Sequence, residues 1–115
     1  MALVLATGQI NQEDINKALL DYLSYIKITA DIEQNLVVIG GRYHADAEEY
    51  LVEKRGSQQK DIWGGGYALE TKTWECNALI NLRSEQNQSL EILDPVIKQR
   101  FLTLVKNKLA ILETL

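Results

Sequence analysis

The sequence is poor in the residues that usually advertise chemistry, with one cysteine, one histidine, one proline and one phenylalanine in 115 residues. A lone cysteine, Cys76, excludes an intrachain disulfide framework, so nothing points to an oxidising compartment. One histidine and one cysteine cannot build a closed zinc site of Cys and His ligands within a single chain. Long apolar runs are missing too, since no stretch approaches the roughly 18–20 residues that span a bilayer. The opening Met1-Ala2-Leu3-Val4-Leu5-Ala6 is apolar, but it lacks a basic start and is too short for a signal core. It reads as a short strand bounded by Thr7-Gly8. These absences predict a cytoplasmic protein without a membrane anchor. Positive charge is also in deficit: twelve Lys and Arg face sixteen Asp and Glu, a net charge of −4, which disfavours a dedicated nucleic-acid binder.

What is present is ordinary globular composition. Hydrophobic residues make up 46% and charged residues 24%, which argues against disorder. The length suits one domain, 1–115, able to bury about two-thirds of its unfolded surface. No repeat, low-complexity tract or linker divides it.

Periodicity then places the elements. Asn11 is a helix cap with Glu13 and Asp14 in the first turn, where negative charge suits the dipole. Ile15, Leu19, Tyr22, Leu23 and Ile26 follow at helical spacing and predict a helix over 12–25. From Ile26 to Ile32 apolar and polar residues alternate, the pattern of a half-buried strand. Leu36-Val37-Val38-Ile39 reads as a buried strand ended by Gly40-Gly41. Residues 42–55 are ambiguous: Ala45, Ala47, Glu48, Glu49 and Leu51 favour helix by propensity. The run Tyr50-Leu51-Val52 into the Arg55-Gly56-Ser57 turn favours a strand over 48–54, paired with one over 60–69. Trp74, Cys76, Ala78, Ile80 and Leu82 alternate with polar residues and predict a further strand, with Cys76 a buried hydrophobe. Asp94-Pro95 opens a helix over 95–113. The expected class is α+β: a curved antiparallel sheet of about five short strands, flanked on one face by an N-terminal and a long C-terminal helix.

Three groups could carry chemistry. The first is His44-Ala45-Asp46-Ala47-Glu48. On a strand its three polar side chains share one face at about 6.6–6.8 Å from one to the next. An imidazole beside carboxylates is a general acid–base pair, His44 with Asp46, or a weak ligand set for a divalent metal, His44, Asp46 and Glu48. On a helix 44 and 48 align while 46 points away, and the plain alternative is an exposed histidine in an acidic loop. The second is Trp63-Gly64-Gly65-Gly66-Tyr67. Three glycines inside a strand pattern call for a bend or for backbone approached by a ligand. No lysine or dinucleotide fingerprint follows them, so a P-loop or Rossmann reading is rejected. Stacking on Trp63 and Tyr67 would suit a base or sugar, though their parity could equally bury both. The third is the polar side of the later strand, where Asn81 and Arg83, with Asn77, form either a row of donors for an anionic or planar ligand or an ordinary solvated face. Lys98, Arg100, Lys106 and Lys108 decorate the last helix without forming a strip. No cofactor is implied.

Gly40-Gly41, His44-Ala45-Asp46, Trp63-Gly64-Gly65-Gly66, Ile80-Asn81-Leu82-Arg83 and Glu91-Ile92-Leu93-Asp94-Pro95 together resemble a family of small uncharacterised bacterial proteins of about this length. The resemblance covers nearly the whole chain and implies no activity, cofactor or catalytic residue. The residues themselves favour a small soluble binding or assembly protein acting as a homodimer, without catalytic chemistry and with a further protein partner left open. The alternative is an enzyme or ligand-binding domain whose pocket combines Gly64 to Gly66, Trp63, His44, Asp46, Asn81 and Arg83. In that reading His44 is acid, base or metal ligand and Arg83 anchors an anion.

Overall fold

The branched apolar runs of the first half pair with one another, and the glycine-rich strand closes on them from the other side. A computed structural model describes residues 3–115; Met1 and Ala2, the start of the expected opening strand, lie outside the described residues. Five antiparallel strands form one open sheet in the order β1-β3-β2-β4-β5. They are β1 (Leu3–Ala6), β2 (Tyr25–Asp31), β3 (Leu36–Gly40), β4 (Ile62–Ala68) and β5 (Thr73–Glu75). β2 is central, with Thr29 opposite Gly64, Ile28 opposite Gly65 and Lys27 opposite Gly66. The β2–β3 turn is held by the buried Asp31 carboxylate, which accepts from the Glu33 and Gln34 backbone N–H groups at 2.9 and 3.1 Å.

Helix α1 (Gln12–Ala18) begins with a capping box between Asn11 and Asp14, and α3 (Pro95–Lys108) begins with Asp94 accepting from Val96 and Ile97. Both pack on one sheet face, where Ile15, Phe101 and Val105 meet Ile26, Ile28, Val37, Ile39 and Trp63. The expected helix 12–25 is cut short at Ala18. Leu20 and Leu23 stand in solvent, so only Ile15, Ala18 and the half-buried Leu19 repay helical packing. The last helix likewise ends at Lys108, with a 3-10 turn over Ala110–Thr114.

The expected strand over 48–54 is instead a helix, α2 (His44–Arg55). Its buried residues His44, Ala47 and Leu51 fall at helical spacing. Gly56, in the left-handed region at φ 69°, ends it, and the N–H groups of Gly56 and Ser57 both reach the Leu51 carbonyl. Of the apolar run Tyr50-Leu51-Val52 only Leu51 is fully buried, so the strand-like pattern does not mark a sheet face. α2 covers the face opposite α1 and α3, packing on Val38 and Ile62. The side of β2 expected to face water is thereby covered: Thr29 and Asp31 are buried.

The strand expected over 74–82 stops at Glu75. Beyond it come two isolated bridges, Asn77 to Glu91 and Arg83 to Asn87, and a 3-10 turn over Leu79–Asn81. The glycine run follows from packing distance, not from turn geometry. A Cβ on Gly65 would overlap the Glu75 backbone oxygen and press on the Phe101 ring at 3.0 Å, and one on Gly64 would lie 2.6 Å from the Ala78 Cβ. A Cβ on Gly66 would meet the Tyr25 ring, a side chain that can move. Urea unfolding is therefore expected to rank the substitutions, with Gly65→Ala costing about 3 kcal/mol and Gly66→Ala about 1 kcal/mol. Equal costs would remove the backbone-contact explanation.

Candidate functional site

His44 opens α2 and is 8% exposed. Its Nε2 lies 2.7 Å from the Gly65 carbonyl oxygen, which can only accept, so the neutral ring carries its proton on that nitrogen. Burial holds its pKa down at about 4, against an ordinary 6.5; the Gly65 carbonyl pulls it upward and the Lys27 charge adds to the lowering. At neutral pH His44 is thus an uncharged donor committed to the backbone.

His44 stands in the wall of a pocket of about 540 Å³. β2 contributes Tyr25 and Lys27, and the entry to α2 contributes Tyr43, His44 and Ala45. The irregular segment after β5 adds Asn77, Ala78, Leu79, Ile80 and Leu90. Among the described residues Lys27 is the one charged lining residue. Its ammonium sits 5.0 Å from the Tyr22 ring centre and 5.7 Å from that of Tyr25, and burial lowers its pKa. It makes no ion pair among the described residues. Burial raises the Tyr25 hydroxyl above its usual range, with the Glu75 charge and a hydrogen bond to Glu75 adding to the effect, so it stays protonated. A second depression, about 670 Å³ between the β2–β3 turn and α3, also has one charged lining residue, Arg100. That guanidinium is already bonded to Glu33 at 3.1 Å and to the Ile32 carbonyl at 2.8 Å.

The glycines lie beneath this pocket, not in its lining. Gly64 lets His44, Ala78 and Ile80 close down on the sheet, and Gly66 lets Tyr25 lie across it. Trp63 and Tyr67 point to the opposite face, each 1% exposed in the main core, where Tyr67 meets Trp74 edge-on at 4.7 Å.

His44, Asp46 and Glu48 are not brought together. A helix turns about 100° per residue, so Asp46 diverges from the other two. His44 faces Gly65, whereas Glu48 lies near Gln59, its carboxyl raised by burial against the opposing charge of Arg83. Among the described residues no group of three or more His, Cys, Asp or Glu side chains could hold a metal ion. Cys76 is buried, which pushes its thiol up and away from nucleophilic use.

Asn81 and Arg83 lie elsewhere as well. β5 covers only the Gly66–Ala68 end of β4. At the other end Asn81, fully buried, takes the place of a strand: its Oδ1 accepts from the Gly64 N–H at 2.8 Å and its Nδ2 donates to the Gly64 carbonyl at 2.9 Å. The same Nδ2 reaches the Leu90 carbonyl at 2.9 Å. Arg83 extends the cover, bonding the carbonyls of Ile62, Lys60 and Ile80 and stacking 4.1 Å over the Trp63 ring. Its donors are spent within the chain, on these carbonyls and on Gln86 Oε1, and it does not line the pocket. Sequence reasoning missed Lys27, Tyr25 and Tyr43. The available signal was a tyrosine and a lysine on one parity of β2, indistinguishable from a solvated strand face without knowing where α2 packs.

Fold and site together define an α+β protein whose five-stranded antiparallel sheet carries helices on both faces and a pocket at the entry to α2. The chain belongs to the family described as "Protein of unknown function (DUF5674)", which matches residues 4–108, in keeping with the uncharacterised family it resembles in sequence. A search of curated proteins and of solved structures finds no match. No helix among the described residues is long and apolar enough to cross a membrane.

Two outcomes follow from this geometry. Asn81→Ala leaves the buried Gly64 N–H and C=O unpaired and is expected to cost about 3 kcal/mol in urea unfolding; a loss under about 1 kcal/mol would show that water replaces the amide. His44 is neutral when folded and titrates near 6.5 once unfolded. The unfolded chain therefore binds more protons between pH 6.5 and 4, so stability falls as pH falls through that window. Between pH 7.5 and 5 the loss assigned to His44 is about 2 kcal/mol. Urea unfolding of wild type and His44→Gln at both pH values checks it, the variant lacking that component.

Proposed function

We propose that the protein is a binding and assembly protein without catalytic chemistry, working as a homodimer in a reducing bacterial cytoplasm. The observation that carries the assembly reading is the unequal treatment of the two sheet edges. Asn81 and Arg83 cover the open end of β4. At the other edge β1 pairs only with β3, and Leu3-Val4-Leu5-Ala6 carries no charge, no proline and no bulge to discourage a further strand. Leu3, Val4 and Leu5 are only half-buried there. A second β1 fits this edge antiparallel about a two-fold axis. With Val4 opposite Val4 and Leu3 opposite Leu5, each face of the joined sheet continues its own apolar pattern.

The non-catalytic reading rests on His44. Its Nε2–H is committed to the Gly65 carbonyl, no carboxylate pairs with it among the described residues, and burial holds its pKa down at about 4, so it is a weak base. A free, buried thiol suits a reducing compartment.

Light scattering after gel filtration is expected to give twice the chain mass of 13.0 kDa at micromolar concentration. Val4→Lys and Val4→Glu should each run as monomers, and an equimolar mixture should return to the dimer. Wild type at the monomer mass, or single variants that remain dimeric, would overturn the β1 interface.

A further inference from the structure

We infer that the pocket between β2, the entry to α2 and the segment after β5 is a binding site for an organic monoanion, a carboxylate on an apolar or aromatic body. The inference is independent of the dimer. It starts from Lys27. A lysine in mid-strand on an exposed sheet face costs little, but this one is half-buried beneath α2 and its neighbours, with no carboxylate paired to it among the described residues. The nearby rings of Tyr22 and Tyr25 offer a cation their π-faces. They offset part of the desolvation and leave the charge unneutralised. Glu75, on β5 beyond β4, is engaged by the Tyr25 hydroxyl.

The walls define the rest of the ligand. Leu79, Ile80 and Leu90 are apolar, and Leu79 and Leu90 are 74% and 48% exposed, an unfavourable placement unless something covers them. Tyr25 and Tyr43 bring rings to the same space, Tyr43 being 60% exposed. The volume, about 540 Å³, lies within the range of small-molecule sites. Aromatic and aliphatic walls around a single cation fit a flat or branched apolar body ending in one negative group.

Charge selects the number of negative groups. Lys27 is the only cation in the lining, His44 is neutral, and the chain as a whole carries a net charge of −4. A polyphosphate would bring two or more charges to one lysine against that field. A monocarboxylate matches it.

Two sources share this chemistry: a free carboxylic acid and the C-terminus of an apolar peptide. The test titrates the full-length protein, followed by amide NMR, with 3-phenylpropionate, its methyl ester, and N-acetyl-Phe-Leu as free acid and as amide. The acids are expected to give saturable shifts at Tyr43, His44, Ala45 and Leu79 below about 10 mM. The ester and the amide should bind about tenfold more weakly or worse. Tighter binding of the peptide acid would assign the peptide source, and tighter binding of phenylpropionate the free-acid source. Lys27→Met should lower acid affinity about tenfold and leave ester affinity unchanged. Leu79→Glu, at an exposed position that tolerates charge, removes part of the apolar wall and adds a negative charge, so it should weaken the acids more than the ester. The inference fails if acid and ester bind alike, if Lys27→Met has no effect on the acids, or if no saturable shift appears at these residues.

Discussion

The arrangement of the second half of the chain depends on the Asn81 side chain, which completes a strand that the backbone leaves open. β4 is the outermost full-length strand on its side, and β5 covers only its last three residues. The N–H and C=O of Gly64 are buried there, and each unpaired would cost free energy of the order of a lost hydrogen bond. An asparagine amide has the donor and acceptor of a peptide group, so it can close the same two bonds. Its remaining donor capacity ties the Leu90 carbonyl to that point. Asn87 then gathers the carbonyls of Asn81, Ser89 and Glu91 with its Nδ2. Between them the two buried amides fix an irregular segment that no helix or strand would hold.

That segment makes the pocket. With Asn81 anchored on Gly64, Ala78 and Ile80 settle on the glycine-rich strand, opposite the first turn of α2. The missing Cβ atoms are the condition for this approach. Gly64 admits Ala78 and the His44 ring, and Gly66 admits Tyr25. His44 in turn reaches across to the Gly65 carbonyl and joins α2 to the strand. The result is a cavity in which the His44 Nε2–H and the Tyr25 hydroxyl are taken up by the fold. Among the described residues the other sheet edge has no such device, and the proposed β1 interface rests on that contrast.

Much of the architecture was legible because local physical signals agreed with the tertiary outcome. Asn11 with Asp14 and Asp94 with Pro95 cap helices by bonds within a few residues. The alternation from Ile26 to Ile32 and the branched run before Gly40 mark strands in any surroundings. Residues 42–55 were misleading because propensity and pattern disagreed: Tyr50-Leu51-Val52 looks like a strand, but only Leu51 finds a core. The alternation from Trp74 to Leu82 misled in the same manner, since it continues past the point where β4 turns to side-chain partners. Of the residues singled out as unusual, His44 lines the cavity, Gly64 and Gly66 lie beneath it, and Gly65 turns its open side to Phe101 on the other face. Asn81 and Arg83 were singled out too, yet their donors go to the chain itself.

The sequence by itself determined the class of fold, the helix starts and the core strands, because caps, periodicity and run length act over a few neighbouring residues. Only the tertiary structure decided which polar groups remain available. An asparagine, an arginine, a histidine and a lysine look equally ready to bind when read along the chain. Packing α2 over β2 buried His44 against a carbonyl, and folding the segment after β5 back on β4 spent Asn81 and Arg83 on backbone. Lys27, half-buried on the same face, has no ion pair among the described residues and lies instead beside the rings of Tyr22 and Tyr25. Hydrogen-bond satisfaction is settled between segments distant in sequence, so it is decided only when those segments meet.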